Sequence, residues 1–368
     1  MQKKIIILSI SIVFVIGYLN PVVATERPPG IASSPNPVGS GAIALGMGGA
    51  YIAMAYDATA ASWNPACLVR LDYPEFSFVA YRFDRTEDNT FGGRYSDAGG
   101  SDVKKIDFNY LSFACPVYIE LLNYQKIVFS LNYQRLYDFT RRWKWEDNRG
   151  DVITEEYQQE GDLSALGIAC CVDVIPTQLS FGFTLNFWND DLLGLIHNKW
   201  KGTQHTYGVR NSREINVYVT DRYSFSKGFN SNIGLLWNWC GQDKFRIGLV
   251  LKWPFTVDLT RETTTEGVEL GEGPSDKELD MPVSYGIGFS LEPIEGNDRF
   301  TIAADIYRTE WGKYVIRNSE GDIRSPVTGR HPHESDIGAT TQIRLGLEWV
   351  LDEPEKQHAW TLRGGMFY

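Results

Sequence analysis

From Gln178 to Asn189 the chain alternates without a break. Leu179, Phe181, Phe183, Leu185 and Phe187 fall on one face, and Ser180, Gly182, Thr184 and Asn186 on the other. A period of two belongs to a strand with unlike faces, because neighbouring side chains of a strand point in opposite directions. The same pattern recurs in Lys126–Asp138, Lys244–Trp253 and Val283–Leu291. It recurs less strictly in Glu75–Arg85, Ile106–Cys115, Asp162–Val174, Arg213–Phe225, Ser231–Cys240, Arg299–Thr309, Gln342–Leu351 and Trp360–Tyr368. That makes about twelve segments, each near the roughly 9–11 residues a tilted strand needs to cross a bilayer.

Alternation of this kind fits a soluble sandwich or a membrane barrel, and three features favour the barrel. Arg246 and Lys252 stand opposite the unbroken apolar face Phe245, Ile247, Leu249, Leu251 and Trp253. Aromatic residues gather at strand ends, as Trp237, Trp239, Trp253 and Tyr307 do. Connections also alternate between short (175–177, 241–243, 293–298) and long (139–161, 190–212, 256–281, 310–341). Short turns at one rim and long loops at the other, with lipid-facing and lumen-facing residues alternating, are the pattern of outer-membrane barrels. The fold class expected is therefore all-β: a transmembrane antiparallel β-barrel of 12–14 strands.

Export fits this reading. Lys3 and Lys4 precede an apolar run from Ile5 to Tyr18, and Val22-Val23-Ala24 offers small residues for cleavage near Ala24. Removing 1–24 takes Lys+Arg from 35 to 33 against 46 Asp+Glu, so the net charge moves from −11 to −13. Nucleic acid, which wants a basic face, is excluded as a partner. The expected domains are the signal peptide 1–24, a lead-in and N-terminal segment 25–74, and the barrel 75–368. The five cysteines (Cys67, Cys115, Cys170, Cys171, Cys240) are odd in number and match no metal or redox spacing. They read as small apolar fillers, with one long-range disulfide left open.

No active site emerges, so no enzyme, cofactor or metal is expected. His331-Pro332-His333 could offer two ligands, but a Pro-interrupted loop pair is a poor metal site. Gly46-Met47-Gly48-Gly49-Ala50 lacks the strand, spacing and acidic partner of a dinucleotide turn. The charged loops, among them Arg141-Arg142-Trp143-Lys144-Trp145-Glu146-Asp147 and 266–280, read first as solvated surface. Their sharper reading is contact with lipopolysaccharide phosphates or the divalent ions that bridge them.

One stretch stands apart. Gly41 to Leu68, GAIALGMGGAYIAMAYDATAASWNPACL, is small-residue rich, and Asp57 is its one charge. A barrel of this size encloses a lumen its own strand side chains cannot fill, so this stretch is expected to fold back as a plug. Gly46, Gly48 and Gly49 argue for short helices and turns over a long rod, and Asp57 is a candidate N-cap. Leu45, Met47, Tyr51, Ile52 and Met54 would give the plug an adaptable apolar surface, either a path for a greasy ligand or packing against the wall.

The elements Ala44-Leu45-Gly46-Met47-Gly48-Gly49-Ala50, Asp57-Ala58-Thr59-Ala60-Ala61 and Asn64-Pro65-Ala66, with the lead-in Ser34-Pro35-Asn36, resemble the N-terminal hatch of FadL-type outer-membrane transporters. They also resemble that of the related PorV-like barrels. The diagnostic part is about 25 residues long. Pro282–Gly288 and Leu345–Glu348 are similar to the family's strands. The resemblance implies a fourteen-stranded barrel, a hatch built on Gly46, Gly48, Gly49, Asn64, Pro65 and Ala66, and passive uptake of long-chain fatty acids or other apolar molecules. It implies a Gram-negative outer membrane, with outer-membrane lipid, lipopolysaccharide and the barrel-assembly machinery as partners. The alternative it leaves is a PorV-like barrel acting in protein secretion or as a structural protein. Two departures stand out. Cys67 occupies the place of the family's Gly after Asn-Pro-Ala, where a turn of positive φ would be strained. The segments number about twelve, so the barrel closes with twelve or the chain is truncated by two strands. Open edges in lipid would cost several kcal/mol per unsatisfied group.

Overall fold

The computed structural model describes residues 36–37, 41–87, 95–97, 101–119, 125–147, 153–190, 192, 198–210, 212–239, 244–266, 274–294, 298–353 and 358–368. The expected signal peptide, most of the lead-in, Cys240, His197 and part of the 266–280 loop lie outside the described residues.

Among the described residues the strands are, in chain order, β1 (Asn36–Pro37), β2 (Glu75–Glu87), β3 (Tyr95–Asp97), β4 (Ser101–Ile119), β5 (Gln125–Asp138), β6 (Arg141–Asp147) and β7 (Ile153–Ile175). They continue with β8 (Leu179–Phe187), β9 (Lys199–Arg210), β10 (Arg213–Asn238), β11 (Phe245–Lys252), β12 (Phe255–Glu266) and β13 (Ser275–Met281). The last are β14 (Ser284–Ile294), β15 (Arg299–Thr309), β16 (Val315–Asn318), β17 (Ile323–Arg324), β18 (Thr340–Glu353) and β19 (His358–Phe367).

Eleven of them form the barrel wall, an antiparallel ladder that runs β2, β4, β5, β7, β8, β10, β11, β14, β15, β18, β19. Every alternating segment read from the sequence falls in one of these strands, with Arg213–Phe225 in the part of β10 that extends beyond the ladder. Two of them, Arg213–Phe225 and Ser231–Cys240, are halves of the 26-residue β10. The polar and glycine residues between them (Ser226, Lys227, Gly228) bulge without breaking the strand.

Beyond the long-loop rim the wall continues as a second tier. There β6, the first half of β7, β9, the first half of β10, β12, β13, β16 and β17 pair in turn. These rim strands carry charges on both faces, so alternation did not reveal them; the loops they were taken for are paired extensions of the barrel.

The outer face of the wall is apolar, as lipid requires. Phe78, Phe113, Leu131, Ile168, Leu249, Phe289, Ile306 and Leu347 are all exposed there. Trp237, Trp239 and Trp253 are exposed at the strand ends, as a girdle needs. Tyr307 is different: it turns into the lumen between Arg344 and Lys252, with the guanidinium carbon 4.6 Å and Nζ 5.9 Å from its ring centre. Its place in the strand register, one residue off Ile306, decides this.

Inside, the stretch 41–71 fills the barrel as a compact plug of short pieces: α1 (Ala42–Gly46), α2 (Ala60–Trp63) and a 3-10 turn (Pro65–Arg70). Glycines on the lumenal face of the wall receive it. A Cβ built at Gly182 would run into the Pro65 carbonyl, one at Gly248 into the Ile52 carbonyl, and one at Gly365 into Met47 and Gly48. Gly182 and Gly234 are register partners, as are Gly248 and Gly288, and Gly346 and Gly365. The missing side chains form paired hollows that let the plug backbone lie directly on the wall.

Gly248→Val is expected to leave the barrel folded and to weaken seating of the plug by about 1–3 kcal/mol. Proteolysis of 41–71 in the folded barrel should speed up, while Gly338→Ala, where an added Cβ meets nothing within 4 Å, should change nothing.

Candidate functional site

The alternate residues of β8 and β10 show how the lumen is layered. On β8, Gly182 lies against Pro65, the Thr184 hydroxyl donates to Ala61 O at 2.7 Å, Asn186 joins a chain of amides and Trp188 follows. On β10, Leu236 packs on the plug, Gly234 faces Asn64, and Asn232 and Asn230 come next. From the short-turn rim inward the order is plug, amides, aromatic cluster.

The plug is held by polar contacts to its backbone. Asp305 on β15 accepts from the N–H of Tyr51 at 2.7 Å and of Ile52 at 3.0 Å. Gly288, on the neighbouring strand, leaves the space the carboxylate occupies. Asn64 donates through Nδ2 to Ile52 O at 2.8 Å and to Leu235 O at 3.1 Å, and accepts from Ala66 N–H at 3.1 Å. It therefore caps the 3-10 turn that Pro65 opens and ties it to both plug and wall. Arg344 donates to Gly49 O at 3.3 Å, and Glu348 accepts from Tyr56 at 2.8 Å and from Arg363 at 2.6 Å. Burial, and then the Glu348 charge, push the Tyr56 phenol up to about 12, so it stays a donor.

The residues singled out from the sequence are divided by exposure. Met47, Tyr51, Ile52 and Met54 are buried between plug and wall, and Leu45 is exposed. Tyr51 stands edge-on to Tyr56 and Trp63, with ring centres 6.4 and 6.0 Å away. Gly48 and Gly49 take positive φ, 62° and 78°, which side chains disfavour, and Gly46 passes beside Arg363. Asn64, Pro65 and Ala66 are buried and sit over Gly182 and Gly234.

Cys67 does not carry the strain expected of it. Among the described residues positive φ outside glycine occurs at Thr177 and Ser212; Cys67 lies inside the 3-10 turn, where a side chain is tolerated. Its thiol donates to Ile52 O at 3.3 Å, and burial pushes it up to about 12. Cys67, Cys115, Cys170 and Cys171 are free thiols. Asp57 likewise acts before the helix instead of at its cap: its carboxylate accepts from Thr59 N–H at 3.1 Å, and α2 begins at Ala60.

The sequence reading missed the second half of the lumen. Above the plug, Asn186 donates to Asn230 at 3.0 Å, Gln134 donates to Asn186, and Asn230 also accepts from the Trp188 indole at 3.0 Å. On this amide layer rests a cluster drawn from seven wall and rim strands and their loops, including Trp188, Trp200, Tyr223, Phe225, Phe255 and Val257. Trp188 stacks on Phe255 with ring centres 4.8 Å apart. The connection between β15 and β18 closes the cluster with Tyr314, Ile316 and Pro326, leaving a cavity of about 30 Å³. The signal was present in the sequence, because Phe255, Val257 and Leu259 alternate with polar residues, but it sat in a stretch taken as loop.

No protein-family model matches the sequence, and no curated protein matches it by sequence. Solved structures do resemble it in fold. A Pseudomonas aeruginosa FadL homologue superposes with a TM-score of 0.56 at 13% identity, over 92% of this chain and 80% of that one. The Ralstonia pickettii toluene transporter TbuX gives 0.54 at 14%, over 90% and 87%. The P. putida toluene transporter TodX gives 0.50 at 15%, over 90% and 84%. At such identities the shared property is the fold, that of a FadL-type barrel.

Asp305→Asn should raise amide hydrogen exchange at Tyr51 and Ile52 by roughly tenfold, because two bonds to a carboxylate become weaker or are lost. The Cys67 thiol should resist alkylation at pH 8 in the folded protein and react after unfolding. Its upward shift on folding means that the plug's stability falls as pH rises from about 9 towards about 12; denaturant midpoints across that range would read this.

Proposed function

We propose that this chain is a passive outer-membrane channel through which hydrophobic compounds enter a Gram-negative-type cell, with the 41–71 plug as its hatch. The observation that carries this reading is the buried cluster of Trp188, Trp200, Tyr223, Phe225 and Phe255 inside the lumen, between the charged rim and the plug. An interior that only had to be filled needs no such separation, and a channel for polar solutes would line this position with water-binding groups. The long-loop rim faces the outside and the short turns face the periplasm. The solved structures of like fold include proteins described as toluene transporters and a FadL homologue, which supports an apolar cargo.

Transit follows from the layering. A small apolar molecule enters the cluster when the connection bearing Tyr314, Ile316 and Pro326 lifts, since the closed cavity of about 30 Å³ admits little more than a water. It then meets the amides and the hatch. Met47, Tyr51, Ile52 and Met54 form the greasy surface it slips past as the hatch shifts. No energy source is needed, because desolvation of the cargo drives entry. Long-chain fatty acids fit if Lys252 and Arg344, which bracket Tyr307 in the lumen, take the carboxylate.

The fully buried hatch and the near-filled cluster also suit the second reading, a plugged PorV-like barrel that serves protein secretion. Recovery of secretion-machinery subunits on the purified barrel, with no hydrophobic uptake, would favour it.

Proteoliposomes loaded with the chain should take up toluene or a labelled fatty acid faster than empty ones. Val257→Glu, which places a charge in the cluster, should cut uptake at least tenfold, and deletion of 42–66 should change it markedly. Uptake unaffected by either change would overturn the channel reading. Lys252→Met should slow the fatty acid more than toluene.

A further inference from the structure

The second tier leaves a cleft on the outer face of the barrel. Here β4 and β6 run side by side unpaired, since β4 bonds to β2 and β5 while β6 bonds to β3 and β7. The gap opens a hollow of about 370 Å³ beside Thr140–Arg142. A second hollow of about 560 Å³ follows across β6, β7 and β9. The two share Arg142, Gln158 and Glu160 and form one cleft.

Its charge is opposite to that of the chain. Five cations line it, Lys104, Arg141, Arg142, Lys144 and Lys201, against three carboxylates, in a protein of net charge −11. One of those carboxylates, Glu156, is already matched by Lys144 at 3.0 Å. At the far end His205 stacks on Tyr218 with ring centres 3.9 Å apart, a flat surface of the kind sugar rings lie against.

Its height is informative too. On β7 the apolar outer face includes Ile168, and Glu160 lies eight residues further towards the rim. At about 3.3 Å per residue along a tilted strand, the cleft sits just outside the hydrocarbon, level with lipid headgroups and their sugars. A mobile soluble anion would not need a cleft on the lateral face of a barrel.

We infer that this cleft binds the phosphorylated saccharide of an outer-leaflet glycolipid of the lipopolysaccharide type. Arg141, Arg142 and Lys201 meet the phosphates, and the His205–Tyr218 stack meets a sugar face. Guanidinium groups suit phosphate because their paired N–H donors match its oxygens. The bound glycolipid would seal the split between β4 and β6 and replace the divalent ions that otherwise bridge neighbouring lipids.

The test uses the whole chain purified in detergent and a lipid A–core glycolipid, with its dephosphorylated form as comparison, read by native mass spectrometry. The phosphorylated form should bind at least tenfold more tightly, and high salt should weaken it. The double variant Arg142→Ala/Lys201→Ala should lose that preference, while the charge-keeping Arg142→Lys/Lys201→Arg retains most of it. Heat-dependent gel mobility verifies that each variant is folded. Equal binding of the two glycolipids, or a double variant that binds like the wild type, overturns the inference. Both outcomes are independent of hydrophobic uptake, which none of these variants should alter.

Discussion

Between Tyr51 and Ala53 the hatch backbone lies directly on the barrel wall at Gly248, and the Ile52 side chain fills the hollow at Gly286. The two N–H groups that end there meet Asp305, the carbonyl of Ile52 meets Asn64, and the wall opposite is glycine at 248, 286 and 288. The rest of the plug depends on this seating. Buried backbone groups must be paired, and a plug made of five- and four-residue helices cannot pair its own. Asp305, Asn64, Arg344 and Thr184 supply what secondary structure does not. Each holds main chain instead of side chain, which explains why a segment so poor in distinctive side chains can be held in one place.

The seating also suits a part that moves. Hydrophobic burial fixes the plug loosely in direction, whereas a few directed bonds fix it in position, and a few bonds can be exchanged at modest cost. The aromatic cluster lies on the other side of the amide layer and shares no member with the plug. The lumen therefore contains two apolar compartments separated by Gln134, Asn186 and Asn230. A cargo that passes between them trades one apolar surface for the other across a single polar layer.

Much of this was legible in the sequence where one face of a strand meets lipid. Leu179–Phe187 and Val283–Leu291 could be read as wall because a lipid face and a lumen face differ in kind. The glycines of those strands were visible as well, as the small residues opposite the apolar ones, although their task of receiving the hatch was not. The second tier was hidden for a physical reason: its buried face, Trp143 and Trp145 on β6, Trp200 on β9, Leu279 and Met281 on β13, is short and shares its register with charges such as Arg141, Arg210 and Lys277, so period two is broken. β10 was divided in two for the same reason, since its lipid face ends near Phe229 and its rim half alternates differently. Asp305 could not be found, because a single acid within Ala303-Ala304-Asp305-Ile306 acquires meaning only when the distant Tyr51 and Ile52 lie beside it. The hatch motif was legible in residue type, but Cys67 was misread: its place in a 3-10 turn depends on the Asn64 cap, which the sequence does not reveal.

The central claim is that the hatch must move for a hydrophobic molecule to pass. A Cβ at Gly46 would stand 3.3 Å from the Arg363 Cβ, close enough for a disulfide between Gly46→Cys and Arg363→Cys, in a chain whose native cysteines are replaced by alanine. Uptake of a hydrophobic compound into proteoliposomes, measured with that bond formed and then reduced, tests the claim directly. The account requires uptake to stop when the bond is present and to return on reduction. Equal uptake in the two states would show that the hatch is fixed filling and that passage, if any, goes another way.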